Sequence, residues 1–127
     1  LTLIPPYQAE QLFAEKVLED VAAATTSFSL EVGQKEWFGL EHDIEVMLIE
    51  PNPSLEDLHG KLLRELGKVG IGIESMKYVA SNFRPHITIK SYHDSVPQKG
   101  EVLKVDHIAL MYKNSRARKL IAKRNLQ

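Results

Sequence analysis

The side chains best placed for chemistry stand together in Arg84-Pro85-His86-Ile87-Thr88-Ile89-Lys90. Side chains alternate between the two faces of a strand, so His86, Thr88 and Lys90 share one face while Ile87 and Ile89 turn into a core. An imidazole gives or takes a proton near neutrality. A reaction that moves two protons can divide them between two such groups, each transfer contributing roughly 10²–10⁴-fold. A threonine hydroxyl two residues away can donate to a non-bridging phosphate oxygen, a charged acceptor for which the bond is worth about 1.5–3 kcal/mol. His86 is therefore read as an acid/base and Thr88 as its phosphate clamp. Arg84 and Lys90 are read as charge-neutralising, substrate-binding helpers. A strand histidine taken alone is more often a packed structural residue; the Thr88 spacing, the flanking Pro85 and a partner motif at the front of the chain shift the reading towards function.

The front of the chain echoes this segment. Leu1-Thr2-Leu3 repeats the aliphatic-threonine-aliphatic pattern of Ile87-Thr88-Ile89, and a tyrosine follows each, Tyr7 and Tyr92. Threonine between aliphatics is common in strands, because it suits the pleated surface. Two such strands in one small protein nevertheless suggest a pseudo-twofold arrangement around a cleft, with Thr2 as the clamp opposite Thr88.

The segment Pro85-His86-Ile87-Thr88-Ile89 resembles the second H-x-T-x signature of the two-histidine phosphoesterases, the group that includes 2′-5′ RNA ligases and cyclic nucleotide phosphodiesterases. The order of the remaining segments is similar along nearly the whole chain: a helix, a hairpin ending near Phe38-Gly39, an apolar strand, a capped helix, Phe83-Arg84-Pro85-His86, and Val105-Asp106-His107-Ile108-Ala109-Leu110. The resemblance implies a bilobal α+β fold, two antiparallel sheets flanking a central cleft with helices outside. It implies a phosphoesterase acting on 2′,3′-cyclic or 2′-5′ phosphodiesters of RNA ends or small nucleotides, with no cofactor and no metal. The first motif's histidine would stand immediately before Leu1; the chain starts at Leu1 rather than Met, and a shortened start is expected. Two alternatives stay open: a relative that lacks that histidine and binds nucleotide or RNA without turning it over, and a hydrolase of another small phosphoester such as an ADP-ribose cyclic phosphate.

The elements that must position these residues are read from periodicity. Leu1–Ile4 is a short β-type run closed by Pro5-Pro6. Residues 8–24 form an amphipathic helix with Leu12, Phe13, Val17, Leu18 and Val21 on its stripe. Phe28–Val32 alternates as a half-buried strand and stops at Gly33, and Trp37-Phe38 forms a short return strand or hairpin tip. Ile44–Ile49 is a central strand. Ser54 opens a second helix through the capping-box pattern Ser54-Leu55-Glu56-Asp57, with Leu55, Leu58, Leu62, Leu66 and Val69 as its stripe and Gly67, Gly70 and Gly72 at its end. Residues 73–82 read as loop. Arg84–Tyr92 is a strand, and Glu101–Tyr112 is another, with Val105, His107, Ala109 and Met111 on one face. Leu120-Ile121-Ala122 reads as a last strand in preference to a short helix. Six or seven strands and two helices without βαβ repetition favour α+β in a single domain over residues 1–127.

Composition narrows the function. With 127 residues and 43% hydrophobic side chains, a core needs no staples, and the absence of cysteine removes thiol nucleophiles and thiolate metal sites. A net charge of −1 argues against a grip on long duplexes and for a short substrate or a strand end. No apolar run is long enough to span a bilayer and none reads as a signal peptide, so a cytoplasmic monomer is expected. His107 has alanine where a threonine would be needed and reads as packing or cleft floor. His42 reads as a strand-edge residue and His59 as a helix-face residue. His93-Asp94 with His86 fits no metal-ligand spacing. Lys113, Arg116, Arg118, Lys119, Lys123 and Arg124 form a basic cluster, read either as a solvated terminal hairpin or as a landing strip for RNA phosphates.

Overall fold

The computed structural model describes residues 1–5, 7–71, 83–89 and 96–127. Helix α1 spans Gln11–Ala23 and buries Ala14, Val17, Leu18, Val21 and Ala22, the i, i+3, i+4, i+7, i+8 stripe of a helix with one apolar face. The stripe starts at Ala14, so angular position overrides side-chain size: Leu12 is 73% exposed and Phe13 47%, where the sequence placed both inside. The buried Thr25 hydroxyl donates to the Val21 carbonyl at 2.6 Å and closes the helix end.

Strand β1, Phe28–Phe38, does not stop at Gly33. The glycine lies in a register irregularity between Val32 and Lys35, a bulge that lets the strand continue and takes in Trp37-Phe38. A β-carbon there would come within 2.8 Å of Glu50 Oε1 and 3.3 Å of the Leu48 carbonyl oxygen. The first half of β1 pairs with β4, Val102–Val105, and the second half with β2, Ile44–Ile49, both antiparallel. Strand β3 is His86–Thr88, paired antiparallel with β2. The sheet order is β3-β2-β1-β4.

Helix α2, Pro53–Lys68, starts two residues earlier than the capping box suggests. Asn52 is the cap: its Oδ1 accepts from the Leu55 amide at 3.0 Å, and its Nδ2 donates to the Ser29 carbonyl at 2.9 Å, pinning the helix start to β1. Pro53 follows, where a missing N–H costs nothing. Leu55, Leu58, Leu62 and Leu66 are buried as the stripe requires, whereas Val69 is 40% exposed. The stop is at Gly70, whose φ of +78° lets the Ile71 amide turn back to the Leu66 carbonyl at 2.9 Å. Gly67 lies inside the helix.

The run Glu101–Tyr112 is not one strand. It breaks at Asp106 into β4 and β5, His107–Lys113, and β5 leaves the four-stranded sheet to pair antiparallel with β6, Arg118–Asn125, as a separate two-stranded sheet. The expected last strand is thus present and longer. Asp106 stays tied in, its carbonyl accepting from the Leu126 amide at 2.8 Å. On β5 the shared face of His107, Ala109 and Met111 is the exposed one, and Ile108 on the other face is buried. His107 therefore does not pack; it faces solvent and donates from Nδ1 to Asp106 Oδ1 at 2.8 Å, which lowers the pKa of that carboxyl. Leu1–Ile4 is not a strand.

Two apolar clusters hold these layers. One joins α1, α2, Ile71, Ile108 and Leu126; the other joins Leu30, Ile49 and Leu55, between the four-stranded sheet and α2. Tyr7 packs on the first cluster, and burial raises its phenol pKa. The α+β class with two antiparallel sheets and helices packed on them is as expected. Among the described residues, no helix is long and apolar enough to cross a membrane.

Candidate active site

Strand β3 presents its residues as alternation requires. Ile87 packs against the Leu30–Ile49–Leu55 cluster, while Thr88 is exposed and His86 is half-buried on the other face. Register pairs His86 with Leu48 and Thr88 with Val46. The His86 ring is not immersed in aliphatic packing. It meets Phe38 edge to face, with centroids 4.7 Å apart, and its Nδ1–H donates to the Arg84 carbonyl at 2.8 Å. That bond fixes the tautomer of the neutral ring, putting the proton on Nδ1 and the lone pair on Nε2. The ring is thereby oriented by its own strand entry, two residues upstream.

Arg84 contributes more than a carbonyl. Its side chain is exposed, and the guanidinium carbon lies 4.8 Å from the centre of the Phe38 ring, a cation–π contact. Phe38 thus supports both His86 and Arg84 from the end of β1. The hairpin ending there was visible in the sequence, yet no role was assigned to its phenylalanine; the signal was an aromatic residue just before the turn glycine Gly39. A pocket beside Arg84 and Pro85 has a volume of about 180 Å³, bounded by the end of β2 and the start of α2. It falls short of the ~300 Å³ at the lower end of small-molecule sites.

The front segment reaches the same region by another route. Leu3 packs on the Leu30–Ile49–Leu55 cluster that also receives Ile87 and Phe83. Thr2, one place before Leu3, is exposed, as is Thr88, one place after Ile87. The two threonines therefore each adjoin an aliphatic anchored on one cluster. The link between them is His59 on α2, a residue the sequence placed on a helix face. It is 3% exposed, its Nδ1 lies 2.8 Å from the Leu3 carbonyl oxygen, and its ring stacks flat on Phe83 at 3.9 Å. One imidazole thus touches both segments that carry the proposed site.

The remaining candidates divide. Lys90, Tyr92, His93 and Asp94 lie outside the described residues, as do Gly72 and the whole loop at 73–82. His42 sits in the turn between β1 and β2 at a φ of +52°, two residues before β2 begins. Among the described residues, no group of three or more His, Asp or Glu side chains is arranged to hold a metal ion.

Residues 1–116 match the family model described as the 2′-5′ RNA ligase superfamily. The chain belongs to the 2′-5′ RNA ligase superfamily. The resemblance carried by His86-Ile87-Thr88 therefore holds at family level, and family membership supports phosphoesterase-type chemistry in general. Among solved structures, the chain is similar to E. coli LigT complexed with 3′-AMP, at 17% identity and a TM-score of 0.62, covering 94% of this chain and 72% of LigT. It is likewise similar to a protein described as a phosphoesterase, at 17% identity and a TM-score of 0.59, with the same coverage. At that identity the two structures speak for the fold. A search of curated proteins finds no match.

Proposed function

We propose that this member of the superfamily is a phosphoesterase acting on 2′,3′-cyclic or 2′-5′ phosphodiesters of RNA ends or small nucleotides. The observation that carries the reading is the His86 ring, tied through Nδ1–H to the Arg84 carbonyl on the face it shares with exposed Thr88. A base needs its lone pair fixed in direction before it can act on a bound water or ribose oxygen.

The chemistry balances without a cofactor. Water adds to phosphorus and one P–O ester bond breaks. One proton leaves the water and one joins the departing ribose oxygen. His86 Nε2 serves one of these transfers; the family pattern assigns the other to the position immediately ahead of Leu1. Thr88 and Thr2 donate hydrogen bonds to the non-bridging oxygens, whose charge grows in the transition state. Arg84, held over Phe38, offsets that charge, and Lys90 is assigned the same task. Nucleotide as ligand accords with LigT having been solved with 3′-AMP.

The test is a substrate panel with His86→Ala: 2′,3′-cyclic mononucleotides, a cyclic-phosphate RNA end, a 2′-5′ dinucleotide and an ADP-ribose cyclic phosphate. The expected result is turnover of at least one RNA-type substrate, lowered roughly 10²–10⁴-fold in the variant. Turnover of every substrate at wild-type rate by the variant would remove His86 from the chemistry. Binding without turnover, together with a residue other than histidine ahead of Leu1 in the natural protein, would assign the chain to nucleotide binding alone.

A further inference from the structure

Charge is distributed unevenly in this nearly neutral chain. The β5–β6 hairpin, residues 107–125, carries six of the 16 lysines and arginines and none of the 17 acidic residues. The rest of the chain keeps ten basic side chains against 17 acidic ones, a net of −7. Register assigns the charges to faces. Lys113 pairs with Arg118 and Ala109 with Lys123, and these share a face with Met111 and Leu120. The opposite face carries Ile108, which is buried in the cluster with α1. That face is covered only around Ile108, and its Tyr112, Lys119 and Arg124 stay exposed; the first face is open to solvent, with Met111 49% and Leu120 53% exposed among the cations.

This surface is built rather than loose. Asn114 Oδ1 accepts from the Arg116 and Ala117 amides, both at 2.8 Å, and sets the turn that carries Arg116. Arg118 lies close enough to Leu1 for its charge to act there, so the basic face reaches the segment bearing Thr2. Strand β3, with His86, and strand β4, which leads into the hairpin, are the two edges of the four-stranded sheet. The two are joined through opposite halves of β1, β4 on Phe28–Glu31 and β2, which carries β3, on Val32–Phe38.

We infer that the outward face of the β5–β6 hairpin binds the phosphate backbone of a single RNA strand whose end lies at His86 and Thr88. Lys113, Arg118 and Lys123 meet phosphates, and the apolar Met111 and Leu120 between them receive base faces, the combination of cations and flat-contact side chains that holds single strands. The inference rests on the phosphoesterase reading for what happens at the strand's end, and it selects an oligonucleotide over a mononucleotide as substrate.

The experiment compares wild type with Lys113→Gln/Arg118→Gln/Lys123→Gln, three exposed positions outside the site. Anisotropy with a fluorescent 12-nucleotide RNA ending in a 2′,3′-cyclic phosphate is read from 50 to 200 mM salt, beside turnover of the mononucleotide cyclic phosphate. The expected result is at least tenfold weaker RNA binding in the variant and unchanged mononucleotide turnover. The slope of log affinity against log salt should flatten by about 2, from three lost contacts at about 0.7 each. Equal affinity of wild type and variant, or wild-type binding without salt dependence, would overturn the inference. So would tighter retention on phosphatidylserine vesicles than on RNA, lost in the same variant, which would make the face a membrane contact. RNA binding through the hairpin with no turnover of any substrate would leave this surface standing and sink the phosphoesterase reading instead.

Discussion

His86–Thr88 and Leu1–Ile4 share a sequence pattern but are held in different ways. The first is hydrogen-bonded along β2, with Met47 and Leu48 opposite Ile87 and His86. The second is not in a strand; packing of Leu3 and Ile4, and the hydrogen bond between His59 and the Leu3 carbonyl, hold it. An aliphatic-threonine-aliphatic run becomes a strand only beside a partner edge, and β2 offers that edge to β3. The backbone of one half of the candidate site is thus set by a sheet and that of the other by a buried imidazole. The two threonines need not contribute equally, and their difference is measurable.

The largest expected effects come from comparing them directly. In the proposed reaction Thr88→Val and Thr2→Val would each remove one donor to a phosphate oxygen, about 1.5–3 kcal/mol, or roughly 10–150-fold in kcat/KM. Steady-state kinetics on the best substrate should show both losses. Loss in Thr88→Val with a silent Thr2→Val would show that only the sheet-held half clamps the phosphate.

Next in size is His59→Ala, which leaves the Leu3 carbonyl without its donor and removes the stack on Phe83. It should cost about 1–3 kcal/mol in urea unfolding. Hydrogen exchange should rise in Leu1–Ile4 while β3 stays protected. His59→Asn, whose amide can reach the same carbonyl, should restore part of that protection. Equal loosening of both segments would mean that His59 supports the core generally rather than the front segment.

Much of this frame was legible before any coordinates. The α2 stripe and β2 follow from periodicity, because α2 buries one face and β2 lies between neighbours. His86 and Thr88 on one face with Ile87 inside follow from alternation alone. The rest depended on distant partners. His59 read only as a helix-face residue because the carbonyl it meets is 56 positions away. Gly33 read as a stop because a bulge and a terminator use the same residue. The division at Asp106 was hidden because alternation continues through it while the hydrogen-bonding partner changes from β1 to β6.

Smaller effects test those local devices. Asn52→Ala removes the α2 cap and the tie to Ser29, and should lower stability by about 1 kcal/mol in chemical denaturation. The smallest concerns pH. The hydrogen bond from His107 lowers the Asp106 pKa below its ordinary 3.8. A depressed carboxyl stabilises the fold above the unfolded value, and that contribution is lost as pH falls through the lower folded value. Both groups face solvent, so the effect is slight. Thermal melts from pH 5 to pH 2 should show wild type and Asp106→Asn converging at the acid end.

The single residue between β4 and β5 also makes the hairpin's outlook a matter of odd and even counting. Because side chains alternate, adding or deleting one residue at Asp106 would exchange the sides of β5. Ile108 would be turned to water and Lys113 towards α1. The length of that joint, more than its composition, decides which side of the hairpin the protein shows to the outside.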